Sequence, residues 1–380
     1  MNTHYIFWGV GIACVIIIAG LFLAYQQAFA PTESSLPERS IPDAEDADST
    51  ADTIEIVATD LNIPWEMVWL PDGTTLITER PGQLVQLGTD GEVRRVDVPR
   101  VSVLGEGGLL GMTLHPEYED NNWLYLYRTY REDTVLNEVV RYTYDQATHT
   151  LHEELTIIDA IPGARYHDGG RIAFGPDGYL YITTGDAVEP RLSQDRDSLA
   201  GKILRVTEEG AVPEDNPFGT PVYSYGHRNP QGIAWDDAGR LWSTEHGQRA
   251  QDELNRIEAG GNYGWPEIEG DETAEGMKTA VVNSGTNETW APSGMSIVGD
   301  TIFFTGLRGA RLYRADIIDE NRVELSTYFA EEYGRLRTAV LNPTEDALYL
   351  LTNNTDGRGS PEENDDRVIR VPLSLLFIGE

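Results

Sequence analysis

The chain has 380 residues, with 63 acidic against 28 basic side chains and a formal net charge of −35. Only Lys202 and Lys278 are lysines, so arginine carries nearly all the positive charge, and so negative a field excludes nucleic-acid binding through general electrostatics. The lone cysteine, Cys14, excludes an intrachain disulfide.

In chain order, Ile6 to Tyr25 comes first, a nearly uncharged apolar run long enough to span a bilayer. Ala28-Phe29-Ala30 has the small residues of a cleavage site. Residues 1–30 are therefore expected to form a signal peptide or an uncleaved membrane-anchor helix. Either places the rest of the chain outside the cytoplasm, periplasmic or extracellular, secreted or membrane-anchored. Residues 31–52 are rich in Pro, Ser, Asp and Glu without an apolar period, the composition of a disordered acidic linker. Residues 53–380 remain as one folded domain.

Within that domain one pattern recurs six times: short alternating strand, tight turn, short alternating strand. The copies are "MVWLPDGTTLITE", "GMTLHPEYEDNNWLYLYR", "RIAFGPDGYLYITTGD", "GIAWDDAGRLWSTEHG", "GMSIVGDTIFFTGLRG" and "TAVLNPTEDALYLLTNN". Their turns carry Asp, Gly, Pro or Asn and their flanks are aromatic and β-branched, as hairpins require. The spacing leaves room for four strands per copy. The expectation is an all-β protein, a six-bladed β-propeller of four-stranded antiparallel blades behind an N-terminal apolar helix. A β-sandwich is the rival, against which the regular spacing argues.

A propeller chain meanders from axis to rim, so residues entering a blade's first strand and leaving its second share one face. Glu106, His167, Arg228, Asn229, Arg335 and Arg337 precede first strands; Asp186, Gly247, Gln248 and Arg308 follow second strands. Folding "YHDGGRIAFGPDGYLYITTGD" about Asp177 brings His167 and Asp186 to the same open end. A histidine oriented by a carboxylate is a general base; the alternative is a hydrogen-bonded histidine closing a blade. Arg228, Arg308, Arg335 and Arg337 make a cationic cluster suited to a flat ligand with several negative charges, or else a ring of structural ion pairs between blades. "DELNRIEAGGNYGWP" offers acidic side chains and loop carbonyls for Ca²⁺, or a solvated acidic loop closed by Trp265. No nucleophile elbow, P-loop or dinucleotide fingerprint is present, so a redox enzyme of this sequence does not use NAD.

Together "HDGGRIAFGPDGYLYITTGD", "GHRNPQGIAW", "DELNRIEAGGNYGWP" and "GRLR" resemble the soluble quinoprotein glucose/sorbosone (aldose sugar) dehydrogenases, from about Ile54 to the C-terminus. The resemblance implies a six-bladed propeller that oxidises aldoses at C1 to lactones with pyrroloquinoline quinone (PQQ) and Ca²⁺, passing electrons to an external acceptor. It implies that His167 is the base, Asp186 its orienting group and Arg228 the stabiliser of charge on the quinone oxygen. Glu106, Asn229, Arg308, Arg335 and Arg337 would contact PQQ. The carbonyls of Gly247 and Gln248 would hold the Ca²⁺ at the cofactor, and Glu253 and Tyr263 a second, structural Ca²⁺. Tyr166 stands before the base where glucose-oxidising members have an acid or amide, Glu106 where Gln is common, and Arg308 where Lys is common; these departures open the identity of the sugar. Two other classes remain: a metal-dependent lactonase-type hydrolase, which needs converging carboxylates at the mouth, and a non-catalytic carbohydrate- or protein-binding propeller.

Overall fold

The computed structural model describes residues 36–41 and 53–377. The apolar run Ile6–Tyr25, the cleavage-site motif and most of the expected linker lie outside the described residues. Six four-stranded antiparallel sheets follow one another along the chain, the expected six-bladed β-propeller. The strands of blade 3, for example, are Ile172–Phe174, Leu180–Thr184, Lys202–Val206 and Val222–Tyr225. Each of the six quoted hairpins is the first and second strand of a blade, and the first strands touch one another in ring order around the axis.

Closure of the ring is not visible in the repeat. Blade 6 takes its outermost strand, Glu55–Ala58, from the start of the domain, paired antiparallel with Val368–Pro372 near its end. Among the described residues one apolar cluster lies between every adjacent pair of blades. Leu254 and Trp242 of blade 4 meet Phe304 and Tyr313 of blade 5 in one of them. Burying such a side chain is worth roughly 2 kcal/mol, so the apolar faces of neighbouring sheets hold the ring together.

Six residues of the span read as a linker depart from that reading. Residues 36–41 lie along the outer strand of blade 5, Arg322–Tyr328, with Arg39 N donating to Thr327 O at 2.7 Å and Thr327 N to Pro37 O at 2.9 Å. An edge strand leaves a row of backbone groups unpaired, and this segment satisfies part of that row while Leu36 and Ile41 pack against neighbouring clusters.

Candidate active site

The hairpin of blade 3 is in register about Asp177: Ile172 pairs with Ile182, Ala173 with Tyr181 and Phe174 with Leu180. The two ends beyond the ladder approach closely because glycines stand there. A Cβ on Gly185 would overlap the carbonyl of His167, and one on Gly169, at φ +63°, would sit 2.6 Å from Thr183 O. His167 itself takes φ +64°. Its Nδ1 lies 2.7 Å from Asp186 Oδ1. Since the carboxylate only accepts, Nδ1 carries the proton and Nε2 is the free base; among the described residues Nε2 has no partner. Asp186 is fully buried. Its Oδ2 accepts Trp265 Nε1 at 2.9 Å and its Oδ1 accepts Val188 N at 2.8 Å.

Glu106 grips the other side of the base. Its Oε2 accepts the backbone N–H of His167 at 3.0 Å and its Oε1 pairs with Arg358 at 2.8 Å. Burial alone would raise this carboxyl, but Arg358, His246 and the His167 N–H pull it down to about 2, so it stays ionised.

Arg228 enters from blade 4. One Nη donates to His246 O at 3.2 Å, and the guanidinium lies 5.3 Å from the Trp265 ring centroid. Its backbone N–H reaches Glu245, whose other oxygen lies 2.8 Å from His227 Nδ1. Asn229 accepts Gly169 N at 3.0 Å through its side-chain oxygen. Arg337 donates to Gln231 Oε1 at 2.7 Å and Asn353 Oδ1 at 3.2 Å; burial lowers it to about 9, still protonated at neutral pH. Arg335 fits the ion-pair alternative, bound to Asp356 at 2.8 Å and to Leu307 O at 3.0 Å. Arg308 follows the second strand of blade 5, its backbone N–H on Trp290 O at 3.1 Å.

What distinguishes this face is its surplus of donors. Arg80 Nε, Arg171 Nη2, Arg228 Nε, Asn229 Nδ2 and Arg337 Nε are all buried without a hydrogen-bond partner among the described residues. Each such donor costs about 1–3 kcal/mol when left unmet. Five of them around one mouth, four on guanidinium groups, fit a bound anion that supplies the missing acceptors.

The calcium candidates divide. Gly247 N donates to Asp252 Oδ1 at 2.9 Å and Gln248 N to Glu269, which fixes a tight turn beside Arg228's partner His246. Glu253 is held at 2.8 Å from Gly270 N and 3.0 Å from Asn255 Nδ2, and burial, then Glu245 across the strand pair, raise it to about 8. Glu253 therefore keeps its proton near neutral pH, and a divalent cation beside it is the kind of charge that would let it ionise. The Tyr263 hydroxyl is engaged, donating to Arg256 O at 2.6 Å, which leaves only its backbone for an ion. Among the described residues no three His, Cys, Asp or Glu side chains converge as a metal site.

Sequence reasoning missed three participants. Trp265 binds Asp186 across 79 positions of chain, though it stands in a quoted motif. Arg358 belongs to a loop of blade 6 that carries no local signal, yet it pairs with Glu106 and lies 5.3 Å over the Tyr166 ring. Glu245 orders Arg228 through backbone and His227 alike.

A six-bladed propeller with a histidine–aspartate pair inside an anion-seeking mouth defines the class, and comparison gives it a family. Residues 61–364 match the glucose / sorbosone dehydrogenase family, and the chain belongs to it. It is 42% identical to the PQQ-bound form of aldose sugar dehydrogenase from Streptomyces coelicolor, covering 84% of this chain and 97% of that one with a TM-score of 0.78. It is 34% identical to the uncharacterized protein slr1608 of Synechocystis, covering 78% of this chain and 83% of that protein. Identity to quinoprotein glucose dehydrogenase B of Acinetobacter calcoaceticus is 29%, covering 76% of this chain and 66% of that protein.

Proposed function

We propose that this protein is a PQQ- and Ca²⁺-dependent dehydrogenase that oxidises aldose sugars at C1 to the lactone. The single observation that carries the proposal is the base His167, tautomer fixed by Asp186, inside a mouth of unmet arginine donors. PQQ is a flat tricarboxylate, the kind of anion those donors fit, and the Streptomyces relative is described in its PQQ-bound form.

When bound, PQQ supplies the quinone that takes up a hydride equivalent, and Ca²⁺ acts on it as a Lewis acid. The chain's own residues do the rest. Asn229, Arg308, Arg335 and Arg337 would hold and orient the carboxylates, Arg335 while keeping its pair with Asp356. His167 Nε2 takes the proton from the C1 hydroxyl as C1 gives up its hydride, and Asp186 stabilises the imidazolium that results. Arg228 places positive charge where negative charge develops. Glu106 acts as a clamp on the His167 backbone, a role additional to contact with the cofactor. The carbonyls of Gly247 and Gln248 would hold the cofactor's Ca²⁺, and Glu253 with the Tyr263 backbone the structural one. The two electrons taken up would pass to an external acceptor. The apolar run at the N-terminus supports export to the periplasmic or extracellular side, anchored or secreted.

The test is to titrate the full-length apoprotein with PQQ, with and without Ca²⁺, and then to add a panel of aldoses. Stoichiometric Ca²⁺-dependent binding followed by sugar-driven bleaching of the quinone is expected. Absence of PQQ binding overturns the reading.

A further inference from the structure

Arg171 stands immediately before the first strand of blade 3, and its side chain crosses the propeller axis. It is 4% exposed. Its Nε donates to Gln231 O of blade 4 at 2.9 Å, and its Nη1 pairs with Glu66 of blade 1. Nη2 points at blade 5, where a Cβ on Gly294 would lie 2.8 Å away; only a glycine leaves that space. The guanidinium lies 4.1 Å from the Trp65 ring centroid, and that of Arg337 lies 5.5 Å from the same ring. Gln231 joins the two: its backbone oxygen takes Arg171 and its side-chain oxygen takes Arg337.

Glu66 is the one carboxylate in direct contact with either arginine among the described residues, and Arg171 takes it; Arg337 feels Asp356 and Glu106 only from further off. The two arginines repel each other, and neither can release its proton at neutral pH. Nη2 of Arg171 and Nε of Arg337 remain buried without partners among the described residues. Arg337 therefore keeps a buried charge that no adjacent carboxylate neutralises, and negative charge arriving at the mouth that it lines would offset it.

We propose that Arg171 is a positioning residue for the anionic cofactor: it closes the axis beneath the mouth and, through Gln231 and Arg337, holds there the buried charge that draws the carboxylates in. The assignment rests on the PQQ reading above. It predicts that affinity follows the sign of the charge on the axis, which a purely structural pin would not do.

The experiment measures PQQ affinity of full-length apoprotein by absorbance titration, with folding checked by circular dichroism. Removing Arg171 alone would strand the Glu66 carboxylate, so the change is made beside its neutral replacement. Glu66→Gln should bind PQQ several-fold more tightly than wild type. Glu66→Gln combined with Arg171→Met should bind about tenfold more weakly than Glu66→Gln alone, the order expected of one unit charge a few ångströms off in a partly buried site. Arg171→Lys, which keeps the charge and leaves Glu66 paired, should stay within about threefold of wild type. Weaker binding by Glu66→Gln, equal affinity of the Glu66→Gln proteins with and without Arg171, or a loss in Arg171→Lys as large as in the double variant overturns the proposal. Failure of the wild type itself to bind PQQ is a different result: it overturns the cofactor reading and this assignment with it.

Discussion

Trp265 and Asp186 are joined by a 2.9 Å hydrogen bond from the indole Nε1 to the carboxylate Oδ2, so the group that orients the base is itself held from the far side. A carboxylate gripped at both oxygens cannot rotate, and His167 inherits that fixity. Trp265→Phe keeps the ring beside Arg228 but removes the donor. Hydrogen bonds to charged groups are worth about 1.5–3 kcal/mol, so kcat should fall roughly tenfold or more while PQQ affinity changes little. A dye-linked assay with saturating PQQ measures the first and an apoprotein titration the second.

His167→Ala should lower turnover by about a thousandfold, the usual scale for a lost general base, and leave PQQ bound. A rate near wild type in the same assay would remove His167 from the mechanism.

Asp168, next to the base, gives a pH-dependent stability. Burial raises its carboxyl from 3.8 to about 7. Its Oδ1 accepts from Ala164 N and Asn137, while Oδ2 has no partner among the described residues. The folded protein holds this proton to a higher pH than the unfolded chain does. The contribution is therefore fully present below pH 3.8 and is lost as pH rises through about 7. Asp168→Asn, uncharged at every pH, should melt with wild type near pH 4 and above it at pH 8, by roughly 3 °C or more. Calorimetry across that range decides it; a constant difference would mean that Asp168 does not titrate there.

Two glycines of one hairpin should behave oppositely. Gly185→Ala drives a methyl into the carbonyl of His167, while at Gly178, with φ +79°, an added Cβ would meet nothing within 4 Å. Gly185→Ala should lose thermal stability and turnover together. Gly178→Ala should cost only about 1–2 kcal/mol of backbone strain and keep its kcat. Parallel melting curves and rates on the two variants separate the outcomes.

Legibility followed the range of the interactions. The symmetry about Asp177 is readable in the sequence because strand period and turn chemistry are local, and it places His167 within reach of Asp186. The shared face of Glu106, Arg228 and Arg337 follows from the meander alone. Contacts made between blades leave no such trace. Arg358 reaches Glu106 over a separation of 252 residues, through a loop whose composition reads as surface. The family resemblance assigns Glu106 to the cofactor, but its hold on the His167 backbone depends on how Gly105 packs against Arg165, which no periodicity encodes. The strand Glu55–Ala58 is invisible in the repeat for the same reason: its partner lies at the other end of the ring.

That strand has a consequence for engineering. Because Glu55–Ala58 and Val368–Pro372 are neighbours in one sheet, the ring has no intrinsic first residue. A circular permutant could join those two ends by a short bridge and open instead at the Asp237–Gly239 turn. The new termini would lie on the face opposite His167, free for fusion to an electrode linker or a reporter domain without crossing the mouth.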